Sequence, residues 1–114
     1  MISSRYRFHA RGGVNFVYKN GQRAKGTLMS MVFVRPNKRK ESRFGVVVSK
    51  KVLKSAVGRN RIRRRVYAVI ESFRPRIKEN IDVLIKVQKA DVRDVDFAIL
   101  KAELEQLLKK AEII

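Results

Sequence analysis

The sequence predicts an α/β domain, an α+β sandwich in which one sheet packs against helices. Three observations carry that reading. Short stretches of period-two alternation are separated by stretches whose apolar residues recur every three or four positions. A strand–helix–strand run in the middle of the chain reads as a βαβ unit. The chain has 114 residues, enough for one modest core, and no internal repeat or hinge composition divides it. Residues 1–114 are therefore expected to form a single domain.

Residues 1–11 read as a flexible basic arm, ordered only against a partner. His9 lies in that arm without a nearby acid or second histidine and is expected to be idle. A short helix is expected from about Gly13 to Asn20, with Val14, Val17 and Tyr18 on one side. Asn20-Gly21 stops it, since both residues tolerate left-handed geometry. Phe16 is assigned to the core, which leaves Tyr18 as the better candidate for an exposed aromatic.

From Thr27 to Val34 the pattern is that of a strand, with Met29, Met31 and Phe33 alternating against Ser30, Val32 and Val34. Residues 35–40 form a turn, Pro36 ending the ladder. A second strand follows at Phe44–Ser49, with Phe44, Val46 and Val48 on one face. Antiparallel pairing of these two strands through the intervening loop is the simple inference. Gly26 and Gly45 mark places where another backbone or a ligand comes close.

Residues 50–58 form a lysine-containing crossover loop into a helix that begins at Arg59. Ile62, Val66, Val69, Ile70 and Phe73 cover an apolar arc of about 100°, the width of a core-facing stripe. Asn60, Arg61, Arg63, Arg64 and Arg65 occupy the rest of the cylinder. The helix ends near Arg74, because Pro75 disfavours helical geometry in the residue before it. Asp82–Val87 is a third strand, with Val83, Ile85 and Val87 on one face. A last helix starts at Asp94 or Asp96 and runs to about Glu112. Phe97, Leu100, Leu104, Leu107, Leu108 and Ala111 form its apolar stripe, and its near-neutral charge makes it a packing element.

The formal net charge is +18, and its parts are +10 for residues 1–40, +9 for residues 41–76 and −1 for residues 77–114. A general solubility device would not be confined in this way, and such a field opposes compaction unless a polyanion supplies counter-charge. Five arginines stand within residues 59–65 with no acid among them. A solvated helix face normally mixes signs, because neighbouring like charges repel. Arginine also favours forked contacts to phosphate oxygens. The partner expected is a nucleic acid.

The chain offers little chemistry of its own. Hydrolysis of a phosphodiester by protein groups needs an acid/base pair or carboxylates holding metal ions. There is one histidine and no cysteine, and the only carboxylates in the basic two thirds are Glu41 and Glu71. Asp91, Asp94 and Asp96 suit turns and a helix start. No P-loop, nucleophile elbow or zinc-spaced motif is present. No catalytic residue and no metal ligand is therefore assigned. The apolar runs are too short to cross a bilayer, and without cysteine nothing points to an oxidising compartment. The first residues lack the apolar core of a secretory signal. They carry arginine and no acid, as transit peptides do, but Gly12-Gly13 and the missing amphipathic run count against that. A cytoplasmic location is expected.

Ser49-Lys50-Lys51, then Ala56-Val57 and Arg59-Asn60-Arg61-Ile62-Arg63-Arg64, resemble the signature of the bacterial ribonuclease P protein component family. Val17-Tyr18-Lys19-Asn20-Gly21 and Val95-Asp96-Phe97 extend the resemblance over most of the chain. It implies a mixed sheet of about four strands, ribosomal protein S5 domain 2-like, with an unusual left-handed βαβ crossover. The right-handed rule would not have given that. It implies two RNA partners, the catalytic RNA of ribonuclease P and precursor tRNA, with magnesium ions held mainly by the RNA. Arg59, Asn60, Arg61, Arg63 and Arg64, joined by Arg65 and Lys54, are the candidates for the catalytic RNA. Val14, Tyr18, Ser30, Val32, Lys50 and Lys51 are the candidates for the single-stranded 5′ leader, in a cleft between the first helix and the sheet. Unpaired bases stack on aromatics while a basic groove follows the backbone.

The sequence departs from the family at Val14, commonly phenylalanine, and at Val32, aromatic in some members. Tyr67 stands where an arginine one turn after Arg64 is usual, with Arg65 the candidate to supply that charge. One residue is inserted between Lys51 and Ala56. A structural RNA-binding protein with no enzyme attached is the alternative. DNA binding is disfavoured, because neither a dimerisation heptad nor a helix-turn-helix pattern is present.

Overall fold

The alternating segments assemble into one four-stranded mixed sheet, and the periodic segments pack on its two faces. The computed structural model describes residues 6–8, 11–36 and 41–114. The elements are α1 (Arg11–Asn20), β1 (Gln22–Lys25), β2 (Met29–Val34), β3 (Arg43–Val47), α2 (Ala56–Phe73), β4 (Asp82–Val87) and α3 (Phe97–Lys110). Short 3-10 turns at Arg74–Arg76 and Ala90–Arg93 follow α2 and β4.

The strand order is β1-β2-β4-β3. This corrects the expected pairing of the two strands that flank the 35–42 loop. β4 lies between them, antiparallel to β2 and parallel to β3. The reason is hydrophobic. Val83, Leu84 and Ile85 are all buried, so β4 is apolar on both faces and belongs at the centre of the sheet. β1 was not foreseen. Its sequence, QRAK, buries only Ala24, and its charges suit an edge strand.

Met31, Phe33, Phe44, Val46, Val83 and Ile85 face the main core, together with Ile62, Val66, Val69, Ile70 and Phe73 of α2 and Leu100, Leu104, Leu107 and Leu108 of α3. Val32 and Leu84 face the other way, under Val17 of α1. Two expectations fail here. Phe16 is 53% exposed, because it lies about 100° round the helix from Val17 and points away from the sheet. Phe97 is 43% exposed, while Val92, in the turn before α3, is fully buried in its stead.

α2 starts three residues earlier than expected. Ser55 accepts a hydrogen bond from the Gly58 amide at 3.0 Å, an N-cap that satisfies one of the free donors of the first turn. Gly58 is thus helical, and a β-carbon there would lie 2.6 Å from Leu53 Cδ2. Within the expected basic arm, residues 6–8 lie against the outer edge of β3. Arg7 bridges Phe44 in parallel fashion and the Phe8 amide donates to the Phe44 carbonyl at 3.3 Å. The Phe8 ring stacks on the Arg43 guanidinium at 4.4 Å. A β-carbon at Gly45 would lie 3.1 Å from the same ring and 2.6 Å from Leu84, which accounts for a glycine inside β3. His9 lies outside the described residues.

Candidate nucleic-acid interface

α2 presents its arginines in two different states. Arg65 turns back into the fold, donating through Nη1 to the Val92 carbonyl at 2.6 Å and through Nη2 to the Val95 carbonyl. Arg61 lies at the surface, with Nε on the Arg93 carbonyl at 3.3 Å and a loose 3.8 Å pairing with Asp94. Arg59 donates to the carbonyls of Leu53 and Lys54 at 3.0 and 2.6 Å, which ties the preceding turn to the helix. Arg63 and Arg64 form no ion pair among the described residues, and Asn60 beside them is half-exposed. The outward charge of the helix therefore rests chiefly on Arg63 and Arg64, with Arg59 and Arg61 contributing from anchored positions.

The turn leading into α2 adds to this charge. Val52 and Leu53 donate their amides to the Ser49 carbonyl, and Leu53 covers Gly58. Lys50, Lys51, Lys54 and Arg59 line an open depression of about 590 Å³. No acid lines it. Lys50 and Lys51, expected at the leader, thus share a surface with Lys54 and Arg59, expected at the catalytic RNA.

Of the other leader candidates, Val14 and Tyr18 pack half-buried on the Val17–Val32–Leu84 cluster. Tyr18 is not a free-standing aromatic. Burial pushes its hydroxyl pKa up, with nearby Arg23 pulling partly the other way, so the phenol is neutral. Val32 is 2% exposed and packs under Val17, so it offers no surface of its own. Ser30 is half-buried and stands directly opposite Lys86 on β4 and Lys25 on β1. Directly opposed residues share a face, so two lysines flank Ser30 on the α1 side of the sheet. Neither was foreseen. Lys86 was legible, since it alternates with Ile85 and Val87; Lys25 was not, because β1 was missed. β3 leaves the sheet beside Lys86, so the Lys50–Lys51 turn lies at the same end as this row.

The model of the family described as Ribonuclease P matches residues 2–112. The chain belongs to the ribonuclease P protein family. It is 39% identical over 98 residues to the ribonuclease P protein component of Synechocystis, covering 86% of this chain and 78% of that one. It is 37% identical over 112 residues to that of Microcystis aeruginosa, covering 96% and 92%. The ribonuclease P protein of Staphylococcus aureus has the same fold, with a TM-score of 0.81 at 23% identity over 95% of this chain and 96% of that one. Members of the family are protein components of ribonuclease P, an endoribonuclease of tRNA processing.

Two departures from the ribonuclease P protein signature now have a physical setting. Tyr67 is buried in the main core, where burial raises its pKa against a backbone hydrogen bond at Val46 and the charges of Arg7 and Arg63. It is not on the cationic face. Arg65, the candidate to replace the missing charge, is held by Val92 and Val95. Val14 keeps the apolar character of its position with less surface to offer a base.

Among the described residues no three His, Cys, Asp or Glu side chains come together. No helix there is long and apolar enough to cross a membrane.

Proposed function

We propose that this chain is the ribonuclease P subunit that binds the catalytic RNA along the outer face of α2 and the 5′ leader of precursor tRNA in the cleft under α1. It assists removal of the leader, while the catalytic groups and the magnesium ions belong to the RNA. A cytoplasmic location is part of the same reading. The observation that carries it is how the charges are distributed. Six acids already hold partners in the fold: Asp82 holds Arg43, Glu71 holds Arg74, Glu79 holds Arg35, Glu105 holds Arg76 and Asp94 holds Arg93, and Glu103 binds backbone amides. The cations of α2 and its entry turn have no such partners beyond the Arg61–Asp94 contact. Such a surface supplies positive charge to a polyanion and carries no acid/base pair for cutting it. The row Lys25–Ser30–Lys86 beside Val14 and Tyr18 suits a single strand, with apolar contact for bases and cations for the backbone.

Reconstitution tests this. The protein alone is expected to leave precursor tRNA intact, and to raise cleavage by a bacterial ribonuclease P RNA at low magnesium. Equal stimulation by an unrelated cationic protein would reduce the claim to charge screening. Cleavage by the RNA-free polypeptide would overturn it.

A further inference from the structure

A broad groove outside α2 and the cleft lies at the opposite edge of the sheet. Two open depressions of about 650 and 630 Å³ share Lys25 and Lys110 and run together between the outer edge of β1 and the last two turns of α3. Lys25, Lys109 and Lys110 give this groove its charge, while the Arg23 guanidinium turns to the α1 side and donates to the Tyr18 carbonyl at 3.0 Å. Two of the three acids beside it are engaged, and the third, Glu112, lines the end next to Arg35 and Lys110. Both oxygens of Glu103 accept amides of the β1–β2 turn, and Glu105, one turn from Lys109, bonds Arg76 at 3.0 Å. Arg35 holds the Ala111 and Glu112 carbonyls at the end of α3. β1 is an outer strand, so alternate backbone amides along the groove are free to meet phosphate oxygens. The stretch along β1 is mostly polar, which does not suit an apolar small molecule there.

Lys25 connects the groove to the cleft, since it also stands opposite Ser30 on the α1 side. A strand that leaves the cleft over Lys25 meets Lys110 and Lys109 next. We infer that the β1–α3 groove holds the phosphodiester backbone of the leader upstream of the segment in the cleft. α3 is then an RNA-contacting element at its last turn as well as a packing helix. This inference rests on the proposed function, and its failure can be told apart from a failure of that reading.

The test compares precursor tRNAs with short and long leaders, bound to the reconstituted holoenzyme. Wild type is expected to bind the long-leader form more tightly. Lys109→Gln with Lys110→Gln is expected to weaken long-leader binding roughly three- to thirty-fold at about 0.15 M salt. It lowers the slope of log K against log salt by about 1.4, the value for two single-strand phosphates. Short-leader binding stays at the wild-type level. Lys109→Arg with Lys110→Arg keeps the long-leader affinity, which separates charge from folding. Lys78→Gln with Lys101→Gln removes the same charge elsewhere and leaves the leader-length dependence intact. The inference is overturned if the groove variant binds the long leader as wild type does, if the control pair weakens it equally, or if assembly with the catalytic RNA is lost instead. A wild-type holoenzyme indifferent to every leader would sink the leader-binding reading itself.

Discussion

Glu103, in the second turn of α3, accepts the backbone amide of Met29, at the start of β2, at 2.8 Å. The same carboxylate takes the Leu28 amide at 3.0 Å and the Thr27 amide at 3.2 Å. A β-carbon on Gly26 would lie 3.2 Å from the Glu103 carboxyl carbon, so the turn can close around it. One side chain thus fixes the β1–β2 turn to a helix more than seventy residues away. Charge-assisted hydrogen bonds to a half-buried group contribute about 1.5–3 kcal/mol, and the amides would be left without protein acceptors. Glu103→Ala is expected to destabilise the fold by about 2–3 kcal/mol and Glu103→Gln by less, measured as a shift in the urea midpoint at unchanged m-value.

Arg43 and Asp82 form the most buried ion pair among the described residues, bidentate at 3.0 and 2.7 Å. Their side chains are 17% and 4% exposed. Removing one partner of such a pair strands the other charge and costs about 3–5 kcal/mol, whereas replacing both with apolar groups is often neutral. Arg43→Met should therefore destabilise strongly, and Arg43→Met with Asp82→Leu should recover most of the loss. Guanidinium unfolding of the wild type and the two variants checks this. A double variant no better than the single would show that the Arg43–Phe8 stack, rather than the ion pair, is what the site depends on.

Much of this architecture was legible because hydrophobic period is local. The stripe of α2, the inward residues of β2 and β3 and the leucines of α3 all face the core as their spacing requires. Sheet order is not local. It depended on reading Val83–Ile85 as a continuous apolar run, the mark of a strand covered on both sides, instead of as an alternating strand. β1 was illegible because four residues with one buried alanine carry no period. The cationic character of α2 was plain, but which arginines point outward was not. Arg65 and Arg59 turn to carbonyls at Val92, Val95, Leu53 and Lys54, and nothing in a run of like charges marks those partners. Phe16 misled through hydrophobicity alone, when the positions of Val14 and Val17 already placed it off the buried face.

Tyr67 should make stability fall at alkaline pH. Burial raises its folded pKa above the ordinary value of about 10. The folded state therefore holds the phenolic proton more tightly than the unfolded chain does. Its contribution is complete below the unfolded pKa and is lost as pH rises from about 10 through the folded value. Tyr67→Phe removes that dependence. Unfolding free energies of wild type and variant, compared from pH 8 to 11, should converge as pH rises. A constant difference across the range would show that the hydroxyl does not titrate in the folded state differently from the unfolded one.

Arg59 and Arg64 separate anchoring from recognition. Arg59 binds the Leu53 and Lys54 carbonyls and so shapes the turn that carries Lys50, Lys51 and Lys54. Arg64 touches no acid among the described residues. Arg64→Ala is expected to leave the melting temperature within about 3 °C, since exposed substitutions usually change stability by less than about 0.5 kcal/mol. Its effect should fall on RNA affinity alone, lowering the salt slope for the catalytic RNA by about 0.9 if the phosphate it meets is in a duplex. Arg59→Ala should do both, costing about 1–2 kcal/mol of folding stability through its two hydrogen bonds and also weakening RNA binding. Arg59→Lys keeps the charge but not the forked geometry, and should restore the salt slope more than the stability. Thermal unfolding and salt-dependent binding on the same three variants decide the matter. An Arg64→Ala protein that unfolds early would mean that the outer face of α2 is needed for folding, and the division between its two kinds of arginine would have to be abandoned.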